Sequence, residues 1–286
     1  MHSYKLVKKT SSQACFLLIG FQIIPNLEDL YLESKDASAL LKSLCPQDFY
    51  YKLKVLNLVC FHDAHATFPI DLLPRFPKLE KLIAGCKHLW KSNSQLDQAL
   101  QTLETLVVQN CSSLIYLAPS RASFQNLTNL DVRDCKRLVK LVTSTTAKSL
   151  AQLTRMSIKD CGMVTEIVAN EGEGIKDEIV FSKLEILELH LLPSLTSFCS
   201  EKHSFDFPSL VEVTVEQCPE MKFFSNGALS TPKLRRVKLT EEDKKGSWVG
   251  NLNTTIQQLS TQTLLELEVK GCPKIEEIVT NDLPGA

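Results

Sequence analysis

The sequence predicts an α/β solenoid of about ten stacked coils, with a parallel sheet on the concave face and short helices and loops on the convex face. Three observations predict it. One apolar pattern returns along most of the chain at a nearly constant interval. A second apolar period follows each copy, and a cysteine closes the pattern at the same place in many of them.

The clearest copy is Leu127 to Leu138, LTNLDVRDCKRL, with apolar residues at its first, fourth and sixth positions and Cys135 at its ninth. Leu103 opens LETLVVQNCSSL, Leu153 opens LTRMSIKDCGMV, Leu210 opens LVEVTVEQCPEM and Leu264 opens LLELEVKGCPKI. The spacing L-x-x-L-x-L-x-x-C is that of a leucine-rich repeat: a short strand, then a turn in which Cys stands where Asn is common. Such a unit cannot bury its apolar face alone, so it must stack on neighbours. The full set of openers is Leu27, Leu53, Leu79, Leu103, Leu127, Leu153, Leu184, Leu210, Leu234 and Leu264, with separations of 24 to 31 residues.

Taken in order, residues 1–23 form a lead-in ahead of the repeat domain at 24–286. Lys5, Lys8 and Lys9 precede an apolar run, Ala14 to Ile24, that is too short to span a bilayer. No small-residue cleavage site follows it. Cys15, Leu18 and Phe21 mimic the tail of a repeat, so this stretch reads as a degenerate first copy. An apolar residue three positions before many openers (Ile24, Phe76, Phe124, Phe181, Phe207) forms a further column that seals the convex segment onto the core. After the cysteine, apolar residues recur every third position, as in Cys135, Leu138 and Leu141 or Cys218, Met221 and Phe224. These close the interior.

Among convex segments, Ala37 to Leu44, Ser94 to Leu103 and Thr146 to Leu153 have helical spacing. Asn170 to Glu178 is acidic and glycine-bearing and reads as a solvated loop. The longest departure runs from Glu241 to Thr263. Trp248 and Leu252 are its expected anchors, and Thr254 to Leu259 its expected helical turn. No polar capping element is evident after the final copy at Leu264.

Composition narrows the function. A net charge of −1 offers no concentrated basic surface for nucleic acid. Of ten cysteines, Cys111, Cys135, Cys161, Cys218 and Cys272 share one repeat position, where a thiol acts as a small hydrophobe with a weak donor. A ladder of free thiols points to a reducing compartment, and so to a cytoplasmic location. His62 and His65 lack the converging ligands that a metal site needs. There is no G-x-x-x-x-G-K-[ST], no G-x-G-x-x-G and no G-x-S-x-G. The expectation is therefore a non-enzymatic chain with no cofactor and no metal.

The informative surface is the one between the leucines, because strand side chains alternate. Its outward ladder groups by charge. Arg133, Arg155 and Lys159, with Asp131 beside them, form a basic patch. Glu188, Glu212 and Glu216, with His190, form an acidic one, and Arg235, Arg236 and Lys238 a second basic one. Blocks of opposite sign favour one docking register of a protein partner. The candidate protein-binding residues are Asp131, Arg133, Arg155, Lys159, Glu188, His190, Glu212, Glu216, Arg236 and Lys238.

The C-x-x-L-x-x-L tails, the F-P-x-L entries, the LELHLLPSLTSFCS block and the late SWVGNLNTTIQQL segment carry a resemblance. From Ile24 onward the chain resembles the C-terminal leucine-rich region of plant coiled-coil-type nucleotide-binding leucine-rich repeat (NLR) disease resistance proteins. The resemblance implies recognition or autoinhibition by the repeat face in plant innate immunity. It implies a pathogen effector, a guarded host protein or an NLR switch domain as protein partner, with no nucleic acid and no membrane span. The family's nucleotide-binding motifs are not in these residues, so ATP or ADP does not carry over. The alternative is a substrate-recognition adaptor of a ubiquitin ligase or another cytosolic leucine-rich repeat scaffold.

Overall fold

Nine stretches that open on an apolar triplet and one short leading segment line up side by side in the computed structural model. The structure describes residues 4–6, 27–33, 51–59, 70–86, 100–117, 122–169, 178–240, 242–243 and 245–271. The principal sheet contains β1 (Tyr4–Leu6), β2 (Leu27–Glu33), β3 (Val55–Val59), β4 (Lys81–Gly85), β5 (Thr105–Gln109) and β6 (Asn129–Arg133). It continues through β8 (Arg155–Lys159), β11 (Ile186–His190), β13 (Glu212–Glu216) and β15 (Val237–Lys238). Each pairs in parallel with the next. Val132, Ile158 and Val215 lie in this one sheet, as the repeat pattern requires.

The pattern works because a parallel stack buries one strand face completely. Leu127, Leu130 and Val132 are essentially inaccessible, as are Leu153, Met156 and Ile158 on the next strand. Each such side chain removed from water contributes roughly 1.5–3 kcal/mol, which no single repeat could collect alone. Backbone bonds lock the coils at each opener: the amides of Thr128 and Asn129 both donate to the Glu104 carbonyl, and those of Thr154 and Arg155 to Thr128.

The turn after each strand needs a left-handed residue. Asn110, Asp134, Asp160, Leu191 and Gln217 all have φ between 52° and 56°, each just before the Cys position or its Leu192 substitute. Asn and Asp tolerate that region; Leu and Gln do so at a cost. The amides of Asn110, Asp134, Asp160 and Leu191 then donate to the next coil, at Arg133, Lys159, His190 and Glu216 carbonyls.

Two further sheets close the coils. β7 (Lys140–Thr143) pairs with β9 (Glu166–Ala169), and β10 (Glu178–Val180), β12 (Ser204–Asp206) and β14 (Leu229–Ser230) form a parallel three-stranded sheet. Between them the phenyl rings of Phe181, Phe198, Phe205, Phe207 and Phe224 pack as one column. Phe198 stacks on Phe224 at 4.5 Å and Phe181 on Phe207 at 5.1 Å between ring centroids. The expected entry column is thus present at Phe76, Phe124, Phe181 and Phe207, all buried. Ile24 lies outside the described residues.

Several local expectations shift. The helix expected over Thr146 to Leu153 is α1 (Ser144–Ser149), starting two residues earlier because the Thr143 hydroxyl accepts from the Thr146 amide and caps it. Leu150 is its C-cap. Glu178 begins β10 rather than ending a loop, since Ile179 beside it is fully buried against the β12 strand. Ala37 to Leu44, most of Ser94 to Leu103, Glu171 and Glu173 lie outside the described residues.

The largest correction is at the last opener. Leu264 does not start a strand; it lies within α2 (Leu252–Gly271). Leu252, Ile256 and Leu259 fall at helical spacing and are buried, and no Gly or Pro interrupts the chain before Gly271. A helix nucleated there propagates through the Gln, Leu, Glu and Lys that follow, all good helix formers. Glu266, Glu268 and Lys270 are therefore helical residues and not part of the concave ladder.

This helix also supplies a polar element that the sequence did not make evident. The Asn253 side-chain amide accepts from the Phe224 and Ser225 amides at 2.7 and 3.0 Å and donates to the Ser225 carbonyl at 2.8 Å. It pairs with that backbone as a further coil would. Trp248 packs against the core, and Val237 and Ser247 exchange two antiparallel bonds of 2.8 Å that end parallel propagation beside β15. Gly246 holds that return with φ of 61°, where a Cβ would meet the Val237 carbonyl at 2.9 Å.

Candidate concave interface

The register sets the outward residues in rows that cross the sheet. One row runs Asp29, Val55, Lys81, Thr105, Asn129, Arg155, Ile186, Glu212. The central row runs Tyr31, Asn57, Ile83, Val107, Asp131, Ser157, Glu188, Thr214, Lys238. A third brings together Gln109, Arg133, Lys159, His190 and Glu216. All ten candidate residues lie on this one face, Arg236 immediately before β15.

The expected blocks of single sign are not what the face presents. From β8 onward, strands carrying opposite charges are next-door neighbours, so acid meets base across the ladder. One terminal nitrogen of Arg155 donates to both Glu188 oxygens at 2.7 and 2.8 Å, and Lys159 approaches the same carboxylate at 3.8 Å. Glu212 accepts from Arg236 at 2.6 Å and from Lys238 at 2.8 Å. His190 Nδ1 lies 2.9 Å from a Glu216 oxygen, and Arg133 pairs with Asp131 on its own strand. Arg235, by contrast, turns to the carbonyls of Pro232 and Leu234.

Desolvation shapes these pairs. Burial pushes the Glu212 carboxyl up, but the hydrogen bond and charge of Lys238, joined by Arg236, outweigh it and hold the pKa below its ordinary 4.5. Charge-assisted bonds from two cations to one carboxylate make a clamp between β13 and β15. Glu188 holds Arg155 of β8 by such bonds, with Lys159 of the same strand 3.8 Å away, drawing β8 and β11 together.

The face is different over β3 to β6. There Asn57, Lys81, Ile83, Thr105, Val107, Gln109 and Asn129 line an open depression of about 590 Å³, with Asp131, Arg133 and Arg155 at its far side. Sequence reasoning placed these residues on the ladder but passed over them as a site, because it looked for charge. The signal that could have found them was the run of mostly uncharged outward residues that Lys81 alone interrupts.

Beneath the strands, Cys86, Cys111, Cys135 and Cys161 are buried and outside any disulfide, while Cys218 is partly accessible. Each of Cys111, Cys135, Cys161 and Cys218 points its sulfur at the carbonyl two residues back, at 3.3 to 3.5 Å. The Cys111 thiol beside Cys135, with burial, pushes the Cys135 pKa up to about 12. Burial alone is the main cause at Cys218, also raised to about 12. Thiols so held are not nucleophiles. Among the described residues no group of three or more His, Cys, Asp or Glu is arranged to hold a metal ion. No helix there is long and apolar enough to cross a membrane.

Comparison with known proteins agrees with the geometry. Residues 117–226 match the family described as plant disease resistance protein RPS2-like, leucine-rich repeats. A probable disease resistance protein of Arabidopsis thaliana is 27% identical over 198 residues, covering 66% of this chain and 20% of its own length. A second from the same plant is 29% identical over 143 residues, covering 48% of this chain and 14% of its own. The aligned part of the chain thus spans a fifth or less of either relative. No solved structure matches.

Proposed function

We propose that this chain, whose leucine-rich repeats are of the kind found in plant disease resistance proteins, serves as a protein-recognition surface in plant innate immunity. The single observation that carries the reading is the concave ladder: outward side chains of successive coils stand in continuous rows across one sheet, and ten of them are charged or titratable residues in defined pairs. A surface of this kind selects partners by electrostatic register more than by raw contact area. Its partner is a protein, either a pathogen effector, a guarded host protein or the switch domain of a larger receptor that the repeats restrain. The work is done inside the cell, by binding alone, without catalysis and without a cofactor.

The test is capture of plant-cell proteins on wild type and on the Arg133→Glu/Arg155→Glu double variant, with a melting curve for each. The variant should stay folded but melt below wild type, because Arg155→Glu sets a second carboxylate against the buried Glu188. It should recover less of the partner. Folded variants, here and elsewhere on the concave face, that recover the same proteins as wild type sink the reading.

A further inference from the structure

We propose that the depression over β3 to β6 is the anchoring subsite of the concave face, and that it takes an extended acidic peptide segment with one aliphatic or aromatic anchor residue. The inference rests on the reading above and says where on the face the partner's main contact falls, and with what chemistry.

Three observations point to it. First, its floor is apolar and only partly buried: Ile83 and Val107 are register neighbours on adjacent strands, side by side in the depression. An apolar side chain from a partner laid over both would leave water on contact with an already ordered surface. Second, the lining holds a cation that is not committed to a carboxylate of its own chain. Lys81 has only Val55 and Thr105 as register neighbours, neither of them charged, and makes no ion pair among the described residues. Arg133 and Arg155, at the far side, already pair with Asp131 and Glu188. A carboxylate on the partner therefore finds complementary charge at Lys81, beside the apolar floor. Third, Asn57 Oδ1 is buried in the lining with no hydrogen-bond partner among the described residues. An acceptor held out of water without a donor is costly. A backbone N–H of an extended segment crossing the floor supplies that donor.

The other half of the face does not compete for this role. From β8 to β15 the cations already hold carboxylates of their own chain, so a partner there must displace existing ion pairs to gain new ones.

The test selects binders from a randomised dodecapeptide library displayed on phage against the whole chain, then measures the consensus peptide by fluorescence anisotropy. Enriched sequences should be net acidic, with a recurrent Leu, Ile, Phe or Met. Ile83→Asp should weaken the consensus peptide by about tenfold, Lys81→Glu by a smaller factor, and Arg236→Glu not at all, with melting temperatures near wild type. Asn57→Leu, which removes the acceptor while keeping the volume, should also weaken it. Basic or unbiased enrichment, or no enrichment, overturns the proposal. So does a consensus peptide that Ile83→Asp and Arg236→Glu weaken alike. If acidic peptides bind but only Arg236→Glu or Glu188→Ala reduces them, this subsite is wrong while concave recognition stands. If no concave variant in either half affects any binder, both readings fail together.

Discussion

The two halves of the concave sheet use one backbone arrangement for opposite ends. Over β3 to β6 the outward residues are chiefly Val, Ile, Thr, Asn and Gln, and no ion pair among the described residues links the outward side chains of one of these strands to the next. Over β8 to β15 the same rows carry Arg155, Glu188, Glu212 and Lys238, which tie strand to strand from above as well. The difference teaches that charge on a repeat surface is not by itself an invitation to a partner. Where opposite charges sit one coil apart, parallel stacking brings them within hydrogen-bond reach and they serve the fold first. Where the coils carry neutral residues, the surface stays open.

That contrast can be broken at several levels. The deepest cut is below the face, where the halves should behave alike. Phe198→Ala removes the ring that stacks on Phe224 and should cost about 3–5 kcal/mol in chemical denaturation. Leu106→Ala, under the neutral half, should cost about 2–5 kcal/mol. A large cost in only one half would show that the core is not continuous.

On the face itself the halves should separate. Glu188→Ala strands Arg155 and Lys159 and should destabilise by about 1–3 kcal/mol. Lys81→Ala should stay within about 0.5 kcal/mol. Equal costs would mean that the cross-strand pairs are incidental.

The turns give a smaller effect of opposite sign. Asn110, Asp134 and Asp160 suit the left-handed turn, whereas Leu191 adopts φ of 53° with its side chain 38% exposed. Leu191→Asn should raise stability by about 1 kcal/mol, read as a higher denaturation midpoint. Asp134→Leu should lower it by a similar amount. A neutral result at both sites would show that the strain is relieved elsewhere.

The smallest effect is in pH. The folded pKa of Glu212 lies below its ordinary 4.5, so between those two values the unfolded chain binds more protons than the folded one. The stability from this clamp is full above 4.5 and is lost as pH falls through the folded pKa. Glu212→Gln should flatten the acid limb of the stability curve in that window and leave the Lys81 side of the face unaltered. An unchanged slope would remove the clamp from the account.

Much of this protein was legible in its sequence. The L-x-x-L-x-L-x-x-C spacing determined the sheet, its parallel order and which residues point outward, because a two-residue side-chain period sends alternate residues of a strand to opposite faces. It also determined the thiol ladder, since one repeat position recurs at one place in space. Tertiary structure alone decided two matters. Leu264 and its apparent repeat became helix because Leu252, Ile256 and Leu259 found the end of the core first, and a helix once nucleated there continues. The concave charges became pairs and not patches because residues 24 to 33 positions apart in sequence, such as Arg236 with Glu212 and Arg155 with Glu188, meet only when coils stack. Blocks of sign read along the chain are separate; read across the sheet, they neutralise each other.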